Sequence, residues 1–475
     1  MPYQVAESEK NGYALFLTKS VTFAASMKDL TQGREGIQIV QFAAPLLLGN
    51  VFQQLYSVVD SIIVGNFLGK DALAAVGASF PVIFTMISFV IGIAGGFTII
   101  ISQYFGAKQM NNVRMAIDTM YLFLFFAALV ITSVGILFTE EIFRLMQTPE
   151  EVIPEAIIYL QVYFGGIVLF FGFNGINAIL RGLGDSKTPL YFLIIATLTN
   201  ILFDYLLVVV FKVGIAGAAI ATIISQGGAF ITAIFYLNRT HSVVKLTTWR
   251  IHFNREIFKK SLKIGLPSGM QNTIVSLGMT ALFGVVNTFG ASAAAAYSVA
   301  LRINALAQTP AMNFSAALST FVGQNLGANK PSRVRKGLLS TLGMAAIIVI
   351  IMTAVIIVFK RELMMLFTAN PEVIEIGAEY LVIVSSFYLV FAALLIFGGV
   401  MRGAGDTLMP MFFTLVSLWV IRIPMAYFLS EQVGLTGIWW ATPIGWFIGM
   451  AMSVIYYFTG RWKRKVVVKY DQEES

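Results

Sequence analysis

Arg181-Gly182-Leu183-Gly184-Asp185-Ser186-Lys187-Thr188-Pro189 returns 221 residues further on as Arg402-Gly403-Ala404-Gly405-Asp406-Thr407-Leu408-Met409-Pro410. Gln103 with Gly106-Ala107 recurs as Gln324 with Gly327-Ala328, Glu151-Val152-Ile153 as Glu372-Val373-Ile374, Tyr159-Leu160 as Tyr380-Leu381, and Val213-Gly214 with Gly217 as Val433-Gly434 with Gly437. The chain is therefore written twice. Both copies are apolar: 57% of the residues are hydrophobic and only 12% charged, where a soluble domain carries about 25% charged residues, and mean hydropathy is +0.80. Apolar runs of about 20 residues or more, long enough to cross a bilayer, fall near 37–68, 74–105, 115–138, 157–180, 188–211, 214–237, 258–288, 294–325, 337–359, 376–401, 408–430 and 433–459. This predicts an all-α integral membrane fold of twelve spans in two equivalent six-helix lobes. Duplicated lobes of this kind place a shared cavity between halves that rock against each other, as in a transporter.

The spans divide the chain into an N-lobe at 34–237 and a C-lobe at 258–460, joined by a basic linker at 238–257, with an N-terminal extension at 1–33 and a tail at 461–475. The extension has no counterpart in the second copy, and it lacks a compact apolar core ending in small residues, so no cleavable signal is read there. Met27-Lys28-Asp29-Leu30-Thr31 would serve as a start, and the first 26 residues are expected to be dispensable. The absence of cysteine excludes disulfides, thiolate metal sites and thiol catalysis.

Lys and Arg crowd every second connection. They are Lys108 and Arg114; Arg181 and Lys187; seven residues between Arg239 and Lys263; Lys330, Arg333, Arg335 and Lys336; Arg402; and Arg461 to Lys469 in the tail. Those connections are expected in the cytoplasm, together with both termini, so the chain is read as a multi-pass protein of the cytoplasmic membrane. The alternate connections carry Glu140, Glu141, Glu150, Glu151 and Glu155, then Glu362, Glu372, Glu375 and Glu379, and should face outward. The net charge of +8 sits beside spans, where the anionic inner leaflet selects it, and not on one soluble nucleic-acid-binding face.

Two acids are left over once loops and tails are assigned: Asp60 in the first span and Asp204 in the fifth. A carboxylate at the bilayer centre costs about 2.5–3.5 kcal/mol on insertion scales, which makes it a functional candidate. The matching places in the second copy hold Ala281 or Leu282, and Met425, so the fold itself does not require the acids. Asn200 stands one turn from Asp204 on the same helical face, and Asn174 and Asn177 are i, i+3 neighbours on the fourth span. Their counterparts are Ile421, Leu395 and Gly398, whereas Thr222 of the sixth span keeps a threonine at Thr442. Carboxylate, amide and hydroxyl oxygens are hard ligands suited to Na⁺, and paired buried carboxylates equally hold a proton.

Arg302 and Arg422 also fall within spans; Arg302 could line the central cavity or the outer mouth, and is read in preference as snorkelling or pairing with backbone carbonyls. The Arg-Gly-x-Gly-Asp segments lack the lysine and hydroxyl of a nucleotide-binding loop and read as tight turns. Pro45 and Pro267, at matching places in the first and seventh spans, are expected to bend or break those helices. The only histidines, His241 and His252, lie in the linker, and the buried acids have no nucleophile beside them, so an enzyme is not expected.

Asp29-Leu30-Thr31-Gln32-Gly33, Pro45-Leu46-Leu47-Leu48-Gly49-Asn50, Val59-Asp60-Ser61-Ile62-Ile63-Val64-Gly65, Gly265-Leu266-Pro267 and the two Arg-Gly-x-Gly-Asp turns resemble the multidrug and toxic compound extrusion (MATE) family over about residues 28–460. The resemblance implies a V of two six-helix lobes around a central cavity. It also implies antiport that exports organic, often cationic or aromatic, compounds in exchange for Na⁺ or H⁺, without a further cofactor and as a monomer. Asp60 matches the family's first-helix aspartate, and Asn177, Asn200, Asp204 and Thr222 match its N-lobe cation site, with Asn174 beside them. Some branches carry a seventh-helix glutamate after the Gly-Leu-Pro. This chain has Gln271 and Asn272 there, which argues against a C-lobe cation site and looks closer to the DinF-like or MepA-like side. Gln53, Gln271, Asn272, Met279 and Met312 are the candidates for lining the substrate cavity. A lipid-linked oligosaccharide flippase of the same superfamily is the alternative, which would need a more cationic cavity than Arg302 and Arg422 supply.

Overall fold

The computed structural model describes residues 28–240 and 252–468. The expectations that concern residues 1–27, the linker around His241 and the end of the tail lie outside the described residues. Among the described residues the chain is helical throughout, with no strand. The first lobe holds α1 (Glu35–Phe67), α2 (Lys70–Gly106), α3 (Met110–Leu137), α4 (Ile153–Gly165 continued by Ile167–Gly182), α5 (Lys187–Val210) and α6 (Ile215–Thr240). The second holds α7 (Arg255–Asn287), α8 (Ala291–Gly327), α9 (Pro331–Val358), α10 (Pro371–Ser385 continued by Tyr388–Gly403), α11 (Leu408–Val433) and α12 (Leu435–Thr459).

Nine of these are single helices long and apolar enough to cross a membrane, and α4 and α10 qualify as bent pairs. The twelfth, α8, runs 37 residues but carries Arg302, Asn304, Gln308 and Asn313. Its polarity follows from its place: α8 packs on α1 and α2 of the first lobe as well as on α9 and α10 of its own, so much of it faces protein and not lipid.

Pro45 and Pro267 stand inside uninterrupted helices, so neither breaks its helix as a bend-or-break expectation allowed. The bends of 53° and 51° fall instead within α4 and α10. In α4 the hinge is the Gly165-Gly166 pair, where the side chain of Ile223 lies too close for any Cβ on Gly166. The fifth and eleventh spans share a different irregularity, a π-helical stretch at Tyr205–Val210 and at Val416–Arg422. Such turns frequently mark functional positions in helices.

The lobes meet at the end of the molecule that carries the basic connections. A Cβ on Gly92 would stand 2.5 Å from the Gly269 nitrogen, and one on Gly96 only 2.6 Å from the Ser261 carbonyl. Bare backbone on α2 therefore touches bare backbone on α7. Further along, Gly106 abuts the Gln324 carbonyl and Gly327 abuts the Gln103 carbonyl. The two glutamines then bridge the seam reciprocally: Gln103 Nε2 donates to the Gly403 carbonyl at 2.9 Å, and Gln324 Nε2 to the Gly182 carbonyl at 3.2 Å. Their oxygens hold two terminal straps. The Leu30 amide donates to Gln324 Oε1 at 2.9 Å and the Val467 amide to Gln103 Oε1 at 2.7 Å. Arg333 secures the first strap through the Gly33 carbonyl at 2.9 Å and an ion pair with Glu35 at 3.2 Å.

The duplicated Arg-Gly-x-Gly-Asp segments are turns at this seam. Gly184 and Gly405 adopt φ of +82° and +91°, which glycine alone enters without strain. Asp185 Oδ1 accepts from the amides of Lys187 and Thr188, each at 3.0 Å, which starts α5. The second aspartate, Asp406, instead accepts from the Tyr456 hydroxyl at 2.6 Å.

Candidate functional site

Two spans of the first lobe, α1 and α5, bring the leftover acids together. Asp60 on α1 is 8% exposed, and Asp204, which closes the α-helical part of α5, is 1% exposed. The two carboxyl groups are electrostatic neighbours across the α1–α5 packing. Asn200 stands beside Asp204, as the i, i+4 spacing requires. On α6, Thr222 donates to the Ala218 carbonyl at 3.2 Å, so its hydroxyl oxygen accepts the Tyr56 hydroxyl 3.0 Å away. Tyr56 in turn lies one helical turn before Asp60, and Tyr159 on α4 is within electrostatic reach of both acids.

Satisfaction of these groups is uneven in an informative way. Both carboxylate oxygens of Asp204, both amide atoms of Asn200 and Asn177 Oδ1 are buried without a hydrogen-bond partner. Buried polar atoms in native proteins are nearly all paired, so a cluster of exceptions needs an explanation. Four of these five atoms are oxygens, an acceptor set that suits a proton or a small hard cation. Asn174 differs: its amide nitrogen donates to the Phe170 carbonyl at 2.9 Å within its own helix, and neither of its amide atoms is among the buried unpartnered groups. Among the described residues there is no group of three His, Cys, Asp or Glu side chains that would hold a polyvalent metal.

Of the residues expected to line the cavity, Gln53, Asn272 and Met312 are exposed and Gln271 is half-buried. Gln271 turns to α11, donating to the Thr414 hydroxyl at 2.7 Å. Met279 packs into the second lobe, its sulfur 3.8 Å from Arg422 Nη1. The arginines also part company: Arg302 is exposed, whereas Arg422 is 7% exposed and its Nε meets no acceptor. The stem of Arg422 is packed inward against Gly445, where an added Cβ would stand 2.9 Å from the Arg422 Cβ.

Sequence reasoning missed Tyr56 and Tyr159. The signal for Tyr56 was present as its i, i+4 spacing from Asp60. Tyr159 gave none, since its repeat partner Tyr380 hides any asymmetry between the copies.

The fold and site define a duplicated multi-pass membrane protein with a paired-carboxylate site confined to one lobe. The chain belongs to the MatE family, whose model matches it twice, over residues 45–206 and 267–428. It is 34% identical over 435 residues to the probable multidrug resistance protein YpnP of Bacillus subtilis, covering 92% of this chain and 97% of that protein. It is 26% identical to the probable multidrug resistance protein NorM of Thermotoga maritima over 91% of this chain and 94% of that one. Among solved structures, a MATE protein in the straight conformation superposes with a TM-score of 0.84 at 25% identity, covering 93% of this chain and 98% of that one. An outward-facing multidrug resistance MATE family transporter gives 0.84 at 25% identity, over 91% and 96% of the two chains.

Proposed function

We propose that the protein exports small organic compounds by antiport, using Asp60, Asn177, Asn200, Asp204 and Thr222 as the site for the coupling ion. The observation that carries this reading is the pairing of Asp60 with Asp204 among unsatisfied oxygens in one lobe only. Relatives named for multidrug resistance support the cargo. The chemistry is then binding and release, with no bond made or broken. The coupling ion is H⁺ or Na⁺. A proton would be shared between the two carboxyls, whereas Na⁺ would draw on the acids together with the amide and hydroxyl oxygens. Lipid-linked oligosaccharide flipping is not favoured, since the relatives that match along nearly the whole chain carry multidrug names.

Coupling follows from the provenance of the ligands. Asp60 belongs to α1, while the other four side chains come from α4, α5 and α6. An ion shifts a conformational equilibrium only through its different affinity for the two states. Occupation of the site would draw α1 towards the cluster, reshape the face that α1 presents between the lobes and lower drug affinity on the outer side. The test is dye efflux in proteoliposomes with Na⁺ and pH gradients imposed separately, alongside drug affinity across both ions for the wild type and Asp60→Asn. The mutant should lose the ionic dependence. Full dependence in the mutant would remove Asp60 from the coupling role, and efflux driven by neither gradient would overturn the antiport reading. The basic seam is proposed to face the cytoplasm, with both termini on that side of the inner membrane.

A further inference from the structure

At the basic end of the second lobe, α9 and α12 both pack on Tyr388–Gly403, the second half of α10. Between their ends they leave an open cleft of about 530 Å³. Arg335 and Lys336 from the start of α9 and Lys463 from the turn after α12 line it, together with Leu339, Tyr457 and Trp462, and no acid does. All three bases are exposed, and none of the four ion pairs found among the described residues includes them. Three positive charges thus converge on one cleft without a counter-charge.

The walls of the cleft are held in place. Trp462 is 2% exposed; its indole donates to the Tyr457 carbonyl at 2.9 Å and stacks on the Tyr457 ring at 5.4 Å. That fixes the start of the tail against α12. Lys463 Nζ lies 5.6 Å from the centre of the same indole, a cation–π placement that keeps the ammonium beside the cleft. From Arg335 the exposed face of α9 runs on, one turn at a time, through Leu339, Gly343, Ile347 and Ile351, and nothing stands within 4 Å of a Cβ placed on Gly343. An apolar stripe on a membrane span therefore leads directly out of a basic cleft, the arrangement that suits a charged headgroup and its acyl chain. Lys and Arg clustered at the end of a span attract anionic lipid.

The first copy is different. By the internal repeat, Arg335, Lys336 and Leu339 correspond to Arg114, Met115 and Asp118 of α3, and Asp118 is within electrostatic reach of Arg114. There the arginine has an acid one turn away, so the repeated fold does not itself call for an unpaired basic cluster.

We propose that this cleft binds the phosphate headgroup of an anionic phospholipid in the leaflet at the basic end, with an acyl chain lying along α9, so that the lipid bridges a span and the tail that goes on to strap Gln103. The inference goes beyond the export reading and holds whether or not that reading does. A free phosphate or a soluble phosphate ester shares the charge but leaves the apolar stripe unused.

The test uses the full-length protein in detergent, titrated with dioleoylphosphatidylglycerol, with dioleoylphosphatidylcholine as the zwitterionic control and glycerol 3-phosphate as the chain-free competitor. Bound lipid is counted by native mass spectrometry. A basic residue near an anionic lipid contributes about fivefold, so the wild type should retain one phosphatidylglycerol at least about tenfold more tightly than phosphatidylcholine. Lys463→Gln should lower that preference about fivefold, whereas Arg464→Gln, which removes the same charge from the same turn but not from the cleft, should leave it within about twofold. Leu339→Asp sets the first copy's acid beside Arg335 and should lower the preference as Lys463→Gln does. Both variants replace exposed side chains, and should one of them not fold, the other decides. Equal retention of the two lipids by the wild type, unchanged preference in Lys463→Gln or Leu339→Asp, equal loss in Lys463→Gln and Arg464→Gln, or displacement of the lipid by equimolar glycerol 3-phosphate would each overturn the proposal. The last outcome would mean a free-phosphate site only.

Discussion

Replacing Gly96 by alanine tests whether the α2–α7 crossing is the contact that closes the basic end. The new methyl would lie 2.6 Å from the Ser261 carbonyl and 2.8 Å from the Gly265 nitrogen, roughly 0.8 Å short of the 3.4 Å at which ordinary contact begins. Both partners are helix backbone, so neither rotates away, and the strain is relieved only if the lobes part. Overpacking of this kind costs about 1–3 kcal/mol, and since about 1.4 kcal/mol is a tenfold change in an equilibrium, the ratio of closed to open seam should fall about 5- to 150-fold. Gly95→Ala is the matched control, one residue along the same helix with nothing within 4 Å. Because the chain has no cysteine, a single Ser102→Cys reports directly: Ser102 is fully buried against Gly323 across the seam. Maleimide labelling of that cysteine should rise with Gly96→Ala and not with Gly95→Ala. Equal labelling in the two backgrounds, at equal membrane expression, would show that this crossing does not open during the cycle.

Asp204→Asn should abolish ion-coupled efflux yet leave the protein folded, since removing a buried charge relieves desolvation; Met425→Leu at the matching place should be mild, and similar loss in both would count against a site confined to the first lobe. A cysteine at Glu151 should label only from outside the cell, and labelling from the cytoplasm alone would reverse the assigned orientation. Arg333→Ala removes the ion pair to Glu35 and the bond to Gly33, so a cysteine at Leu30, 1% exposed in the intact protein, should become markedly more reactive, and unchanged reactivity would show that the strap is held without Arg333, by Gln324 on the Leu30 amide, Asn325 on the Leu30 carbonyl and Lys330 on the Thr31 carbonyl.

The spans were legible because lipid leaves the backbone few options, so that apolar length decides the element. The acid pair was legible for the same reason, since a carboxylate stands out against an apolar run. Arg422 stood out equally but its environment did not. Whether an intramembrane arginine turns to the surface or inward depends on what packs against its stem, and Gly445 approaches α11 from another span. No break appears at Pro45 or Pro267, since a proline forfeits only one helical hydrogen bond and both helices run on through it. The bend in α4 falls at Gly165-Gly166, where Ile223 leaves no room for a Cβ on Gly166. The straps escaped notice because their partners, Gln324 and Gln103, lie 294 and 364 residues away in sequence.

The reciprocal seam carries one further consequence. Gln103 reaches Gly403 while Gln324 reaches Gly182, and these are the same pair of repeat positions taken in both orders. Self-complementary contact of this sort is what two identical subunits make about a twofold axis. A half-length chain with these residues would already possess the surface needed to dimerise. In such a dimer, however, every substitution appears in both halves at once, so an aspartate on one side demands an aspartate on the other. Joining the halves into one polypeptide removes that constraint, and it is what permits one lobe to keep Asp60 and Asp204 while the other buries Arg422.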